Sequence, residues 1–167
     1  LDDTYYMGIV EQIDTTTQKR AVHIARLDNI LSDQPQLVIV ATLENTNRER
    51  MVSLGHHADS SYVGVGNKLR GLQHTDGALH EIVDCGRPPA EARARISGSF
   101  IYVICGTQVL ALSAGAVVNR WDLEMNLDSA FIVYHSGAAI DVAASDTSGL
   151  LKRYRTQGTT LTQRMSP

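Results

Sequence analysis

Short apolar stretches alternate with polar, glycine-bearing turns along almost the whole chain, and this pattern predicts β-strands throughout. Tyr5–Ile13 and Ala21–Leu27 flank the polar run Asp14–Lys19, and Leu37–Leu43 and Arg50–Leu54 flank Glu44–Arg48. Residues 1–55 therefore read as two hairpins, with Asn29–Pro35 as a surface connection between them. The one segment with helix-forming residues and a start signal is Pro89–Arg95, where two prolines precede an Ala/Glu/Arg run; it reads as a turn or two of helix, or an exposed loop.

The second half of the chain repeats. Tyr62–Leu72 matches Tyr102–Leu112 at an offset of 40 residues, with Tyr62 against Tyr102, Gly66 against Gly106 and Leu72 against Leu112. A weaker copy runs Phe131–Ala143, with Gly137 in the place of Gly106, spaced about 31 residues from the second. Each copy is an apolar strand, a tight turn and a second strand. Each is followed by a small-residue turn and a strand ending in a bulky residue: Val83, Trp121 and Tyr154. Glycine at such turns supplies a positive φ at no steric cost. A period near 40 residues with four short strands is that of a propeller blade.

Tyr62–Val83 and Tyr102–Leu123 resemble the quinoprotein-type, or PQQ-like, β-propeller repeat: a Tyr-Val strand, a turn, a Leu-rich strand, then a strand closing on Trp. The resemblance covers about half the chain. Trp121 keeps the closing Trp in one copy only, and Gln73 and Ser113 stand where the repeat usually has Asp. It implies an all-β, propeller-like fold of antiparallel blades, about four or a fragment of a larger propeller, over residues 1–167, with three degenerate repeats in 62–160. Such drift goes with propellers kept for shape and binding. A β-trefoil or sandwich is the alternative at this length.

Composition narrows the function classes. The chain has 167 residues, a formal net charge of −3 and 5% aromatic residues, so the core must rest on Val, Ile, Leu and Ala. No basic stripe of the kind that drives nucleic-acid binding is present, and no apolar run approaches the ~18 residues that span a bilayer. Cys85 and Cys105 leave a disulfide and two reduced core thiols both open, with a mild lean to a reducing intracellular compartment.

Candidate chemistry is thin. Asp146-Thr147-Ser148-Gly149 superficially suggests an aspartic-protease turn, but Ser148 interrupts it and no second such turn exists. Gly64-Val65-Gly66 reads as a hairpin turn, because no helix follows to hold a phosphate. His56, His57 and Asp59, with His74 or His80, are the residues from which a metal site could be assembled, but adjacent strand histidines face opposite ways. No catalytic set, metal or cofactor is expected. The residues singled out for binding are His56, His57, Asp59, Arg87, Arg93 and Trp121. They lie on or beside the loops Asn29–Gln34, Glu44–Arg50, His56–Ser60 and Arg87–Arg95, or in the repeat's closing aromatic. The expectation is a non-catalytic protein-binding or assembly module with protein partners or other subunits, and with no nucleic acid or membrane span. The alternatives are a structural subunit of a large particle or virion, and a small carbohydrate-binding or hydrolytic domain.

Overall fold

The computed structural model describes residues 4–13, 16, 20–29, 31–44, 50–57, 59–94, 100–157 and 160–164, and among them every regular element is a β-strand. Among these residues no helix is long and apolar enough to cross a membrane. The first sheet is an antiparallel meander of β1 (Thr4–Ile13), β2 (Arg20–Asp28) and β3 (Gln36–Glu44). The second holds β4 (Met51–His57), β5 (Ser60–Val65), β6 (Lys68–Gln73) and β7 (Leu79–Asp84). The third sheet takes β8 (Ala90–Glu91), then β10 (Ile101–Cys105), β11 (Gln108–Ser113) and β12 (Ala116–Asp122). In the fourth, β9 (Arg93–Ala94) pairs in parallel with β13 (Leu127–Ser136), followed by β14 (Ala139–Asp146), β15 (Leu151–Gln157) and β16 (Thr160–Arg164).

The sheets stack in chain order, and each of the two inner sheets turns one face to the sheet before it and one to the sheet after it. Strand alternation makes this possible. In β5, Tyr62 joins the core between the second and third sheets, while Val63 and Val65 join the core between the first and second. In β10 and β11, Val103, Cys105, Leu110 and Leu112 face the second sheet, and Tyr102, Ile104, Val109 and Ala111 face the fourth. That is why β5 is buried along its whole length. This architecture is all-β and propeller-like.

Three sequence expectations are corrected. The Leu37–Leu43 and Arg50–Leu54 strands do not form a hairpin. β3 pairs with β2 through the Asn29–Pro35 turn, where Ser32 N–H donates to the Asn29 carbonyl at 2.9 Å, and β4 pairs with β5 in the next sheet. Leu54 is drawn into the second core, so the run after β3 links two sheets. The Pro89–Arg95 segment is not helical where it is described. Ala90–Glu91 adds to β10 and Arg93–Ala94 to β13, because strand edges there offer the backbone partners; residue 95 lies outside the described residues. The third repeat copy is one strand out of step: in the antiparallel meanders Gly66 and Gly106 turn between the second and third strands, whereas Gly137 turns between β13 and β14, the first two strands of the fourth meander, which β9 joins only in parallel. Its counterpart is the Asp146–Leu150 turn, with Gly149 at φ 84°.

Candidate functional site

The second sheet carries three of the six singled-out residues at one end and is followed by a fourth at the other. His56, His57 and Asp59 lie at the β4–β5 connection, while Arg87 follows β7, whose end pairs Asp84 with Lys68 beside the opposite turn. Arg87 is half-buried and donates from Nη2 to the Leu127 carbonyl at 2.5 Å, which ties the link after the second sheet to the fourth. Arg93 is exposed on β9, beside Phe131 in register. Trp121 is buried and donates from Nε1 to the Ala138 carbonyl at 3.0 Å. The six do not converge on one place. Of the expected contact loops, Glu44–Arg50 lies largely outside the described residues.

At the β4–β5 end a Ser–His pair does form. Ser61 Oγ meets His74 Nε2 at 2.6 Å, and burial, reinforced by His56, holds His74 below the ordinary histidine range. The Asp59 carboxylate accepts from Ser60 Oγ at 3.2 Å, and the hydrogen bond between Asp59 and His74 runs from the His74 N–H to the Asp59 backbone carbonyl at 2.7 Å. Ser61 is itself buried, so this is a pinned corner of the second sheet; a nucleophile must reach its substrate. Among the described residues no group of three or more His, Cys, Asp and Glu could hold a metal ion. Asp146 closes its own turn, accepting from Ser148 Oγ at 2.6 Å and the Leu150 N–H at 2.9 Å, and the Ser148 hydroxyl holds it below the usual carboxylate range.

The aromatic members of the repeat bind one sheet to the next. Tyr62 and His80 bracket Gly115 of the third sheet: the Gly115 N–H donates to the Tyr62 hydroxyl at 3.1 Å, and His80 Nε2 donates to the Gly115 carbonyl at 2.9 Å. One seam further on, His135 Nε2 donates to the Gly137 carbonyl at 2.8 Å, which leaves Nδ1 to accept from the Tyr102 hydroxyl at 2.8 Å. Phe100, Tyr102 and Trp121 enclose the His135 ring at centroid distances of 4.8, 5.7 and 5.0 Å. Burial raises both Tyr62 and Tyr102 above the ordinary phenol range.

Cys85 and Cys105 are joined in a disulfide across the seam between the second and third sheets, so neither is a free nucleophile. The bond borders an open cavity of about 410 Å³ lined by Asp84, Arg87, Thr107, Gln108 and Asn126 among others.

Sequence reasoning missed the strongest electrostatic feature. Asp141 on β14 is buried at 2% exposure and accepts from Arg153 Nε and Nη2, both at 2.8 Å, and from Arg155 Nε at 3.0 Å and its Nη2. These bonds, Arg153's foremost, pull its carboxyl down to about 2. An Arg-x-Arg strand facing a lone Asp on the preceding strand was the available signal. The cluster lies on the face of the fourth sheet turned away from the third, since Ile140, Val142 and Tyr154 fill the other face.

Comparison with known proteins places this fold. No family model matches, and no curated protein matches. Among solved structures the chain is similar to a component of the mitotic checkpoint complex (TM-score 0.56, 13% identity, 96% of this chain and 50% of that chain). It also matches BBS1N from its complex with ARL6DN (TM-score 0.44, 14% identity, 96% and 54%) and the WD40 domain of SCAP from fission yeast (TM-score 0.41, 11% identity, 96% and 42%). The chain spans about half the length of the first two and less of the third. The fold is of the β-propeller type.

Proposed function

We propose that the chain is a non-catalytic protein-binding or assembly module on a β-propeller-type scaffold. The observation that carries this reading is the placement of exposed apolar side chains. Among the described residues, seven of the eight large exposed hydrophobics belong to the two end sheets or their turns: Leu31, Leu37 and Ile39 in the first, Phe131, Tyr134, Leu150 and Leu151 in the fourth. Only Val118 belongs to an inner sheet. Exposed apolar side chains gathered on particular sheets of a rigid scaffold suit a contact surface. Within propellers, the Tyr62–Val83 and Tyr102–Leu123 repeats support the quinoprotein-type relation on sequence grounds. The Cys85–Cys105 bond supports an oxidising compartment over the reducing one that composition suggested.

The test is comparative capture from native extract with the wild-type chain and with a Leu37→Glu/Phe131→Glu variant as baits, alongside a substrate panel. A protein set retained by the wild type and lost by the variant supports the reading. Identical sets from both baits, together with turnover of a substrate, overturn it.

A further inference from the structure

The links that leave the second and third sheets are built alike. Asp84-Cys85-Gly86-Arg87 closes β7 as Asp122-Leu123-Glu124-Met125 closes β12. In each, the aspartate ends the strand and its Oδ1 accepts the N–H two residues on, at 2.8 Å from Gly86 and 2.9 Å from Glu124. Gly86 and Glu124 both take a positive φ, 67° and 55°. The residue between donates its N–H to a hairpin turn: Cys85 to the Asn67 carbonyl at 2.8 Å, Leu123 to the Thr107 carbonyl at 3.0 Å. Asn67 and Thr107 keep the 40-residue offset of the repeat.

The backbone is the same and the filling differs. After the third sheet, Leu123 and Met125 are buried at 1% and 8% exposure in the core of the next seam. After the second, Cys85 and Arg87 stand in those places, both only partly buried, and an open cavity of about 410 Å³ remains. The cavity lies on an inner seam, and its side chains depart there from the filling that the next link uses; such local departures are expected at functional sites. Both cysteines of the disulfide line it, Cys85 the more open and Cys105 at 6% exposure. The Arg87 guanidinium donates to the Leu127 carbonyl, and among the described residues no carboxylate pairs with it. Asp84, the carboxylate of the lining, is turned to the Gly86 N–H.

We propose that the Cys85–Cys105 bond is a thiol-exchange site of the folded protein: a small anionic thiolate enters the cavity beside Arg87 and attacks Cys85 Sγ. An S–S bond forms between the incoming sulfur and Cys85 as the bond to Cys105 breaks. Cys105 leaves with the electron pair and takes a proton from water. The first products are a mixed disulfide on Cys85 and a thiol on Cys105, with no net oxidation or reduction. A second equivalent of the same thiol attacks the mixed disulfide, departs as a symmetrical disulfide and leaves Cys85 as a thiol, so the protein gains the two electrons that the two small thiols lose. Access and charge both favour this route: the attacker must reach sulfur as a thiolate, and a cation without a counter-charge draws thiolates to the cavity. The freed Cys105 suits its place. The position 40 residues earlier holds Val65, also at 6% exposure, and a reduced cysteine packs as a small hydrophobe. Exchange at this seam goes beyond the binding-module reading and does not depend on it.

The experiment is timed acid quenching, alkylation and mass spectrometry of the oxidised chain in excess thioglycolate, repeated with the cationic thiol cysteamine at equal thiolate concentration. Both series are run at several urea concentrations below the unfolding transition. The expected result is a rate proportional to thiolate and flat in urea, with the first adduct on Cys85 and thioglycolate faster than cysteamine by about fivefold. Arg87→Met, which copies Met125 of the next link, should abolish that preference, and Arg87→Lys should keep it. A rate that climbs with urea along the full unfolding slope overturns the proposal, because exchange then needs the unfolded chain. A first adduct on Cys105 overturns it, as does a wild type indifferent to the charge of the thiol or an Arg87→Met variant that keeps the preference. The urea and thiol-charge arms use the wild type alone, so they decide the matter even where Arg87→Met does not fold.

Discussion

The hydroxyl of Tyr62 in the second sheet accepts the backbone N–H of Gly115 in the third, at 3.1 Å in a buried seam. Both partners are out of water, so removing the acceptor leaves an amide with nothing to bond. Tyr62→Phe keeps the ring and its packing and should cost about 1–2 kcal/mol. Tyr102→Phe breaks the equivalent bond to His135, which is only half-buried, and should cost less, about 1 kcal/mol. Urea midpoints at unchanged slope would show both losses. Equal stabilities for Tyr62→Phe and wild type would mean that the hydroxyl is incidental to the seam.

Gly77 sits at φ 67° in the turn before β7, where an added Cβ would stand 2.6 Å from the Val40 carbonyl of the first sheet. Gly137 has a similar φ of 54° but nothing within 4 Å of that position. Gly137→Ala should therefore show the conformational cost alone, about 1–2 kcal/mol, and Gly77→Ala should add the backbone clash, about 2–4 kcal/mol in all. Thermal melts of the two variants side by side separate the terms. A Gly77→Ala no worse than Gly137→Ala would show that the turn does not press on β3.

The Cys85–Cys105 bond closes a 20-residue separation across the second seam. Loop closure of that size is worth about 3 kcal/mol in the chain-entropy account. Reduction, or a Cys85→Ser/Cys105→Ser variant, should lower the melting temperature by roughly 6–12 °C. The double variant should be indifferent to reductant. An unchanged melt on full reduction would contradict the assignment of a stabilising cross-link.

The strands were legible because a sheet buried on one or both faces writes its alternation or its apolar run directly into the sequence. Tyr62 and Tyr102 were legible as a repeat because consecutive seams ask the same side chain to reach the next sheet. The third copy slipped because a short apolar hairpin looks the same wherever it falls in a sheet, and the Gly137 turn imitates Gly106 one strand too early. The β3–β4 hairpin failed for a related reason: pairing depends on which core takes Leu54, and loop length does not reveal that. The Cys85–Cys105 pair and the Asp141 cluster depend on positions brought together across a seam or a hairpin, so residue counts could not choose between their states.

Asp141 makes stability depend on acid in a defined window. Its folded pKa of about 2 lies below the ordinary carboxylate value, so the native state favours the charged form. The stabilisation is present in full above the unfolded pKa near 4 and is lost as pH falls through the folded value. The shift corresponds to about 2 kcal/mol, and screening of the half-exposed arginines reduces it to about 1–2 kcal/mol. Asp141→Asn should remove this increment and flatten the unfolding free energy between pH 4 and 2 relative to wild type. The two arginines are half-exposed and the Asn amide still offers them an acceptor oxygen, so the neutral-pH loss should stay within that increment. Urea unfolding at a series of pH values measures both effects at once. Parallel wild-type and Asp141→Asn curves across that window would show that another carboxylate governs the acid limb.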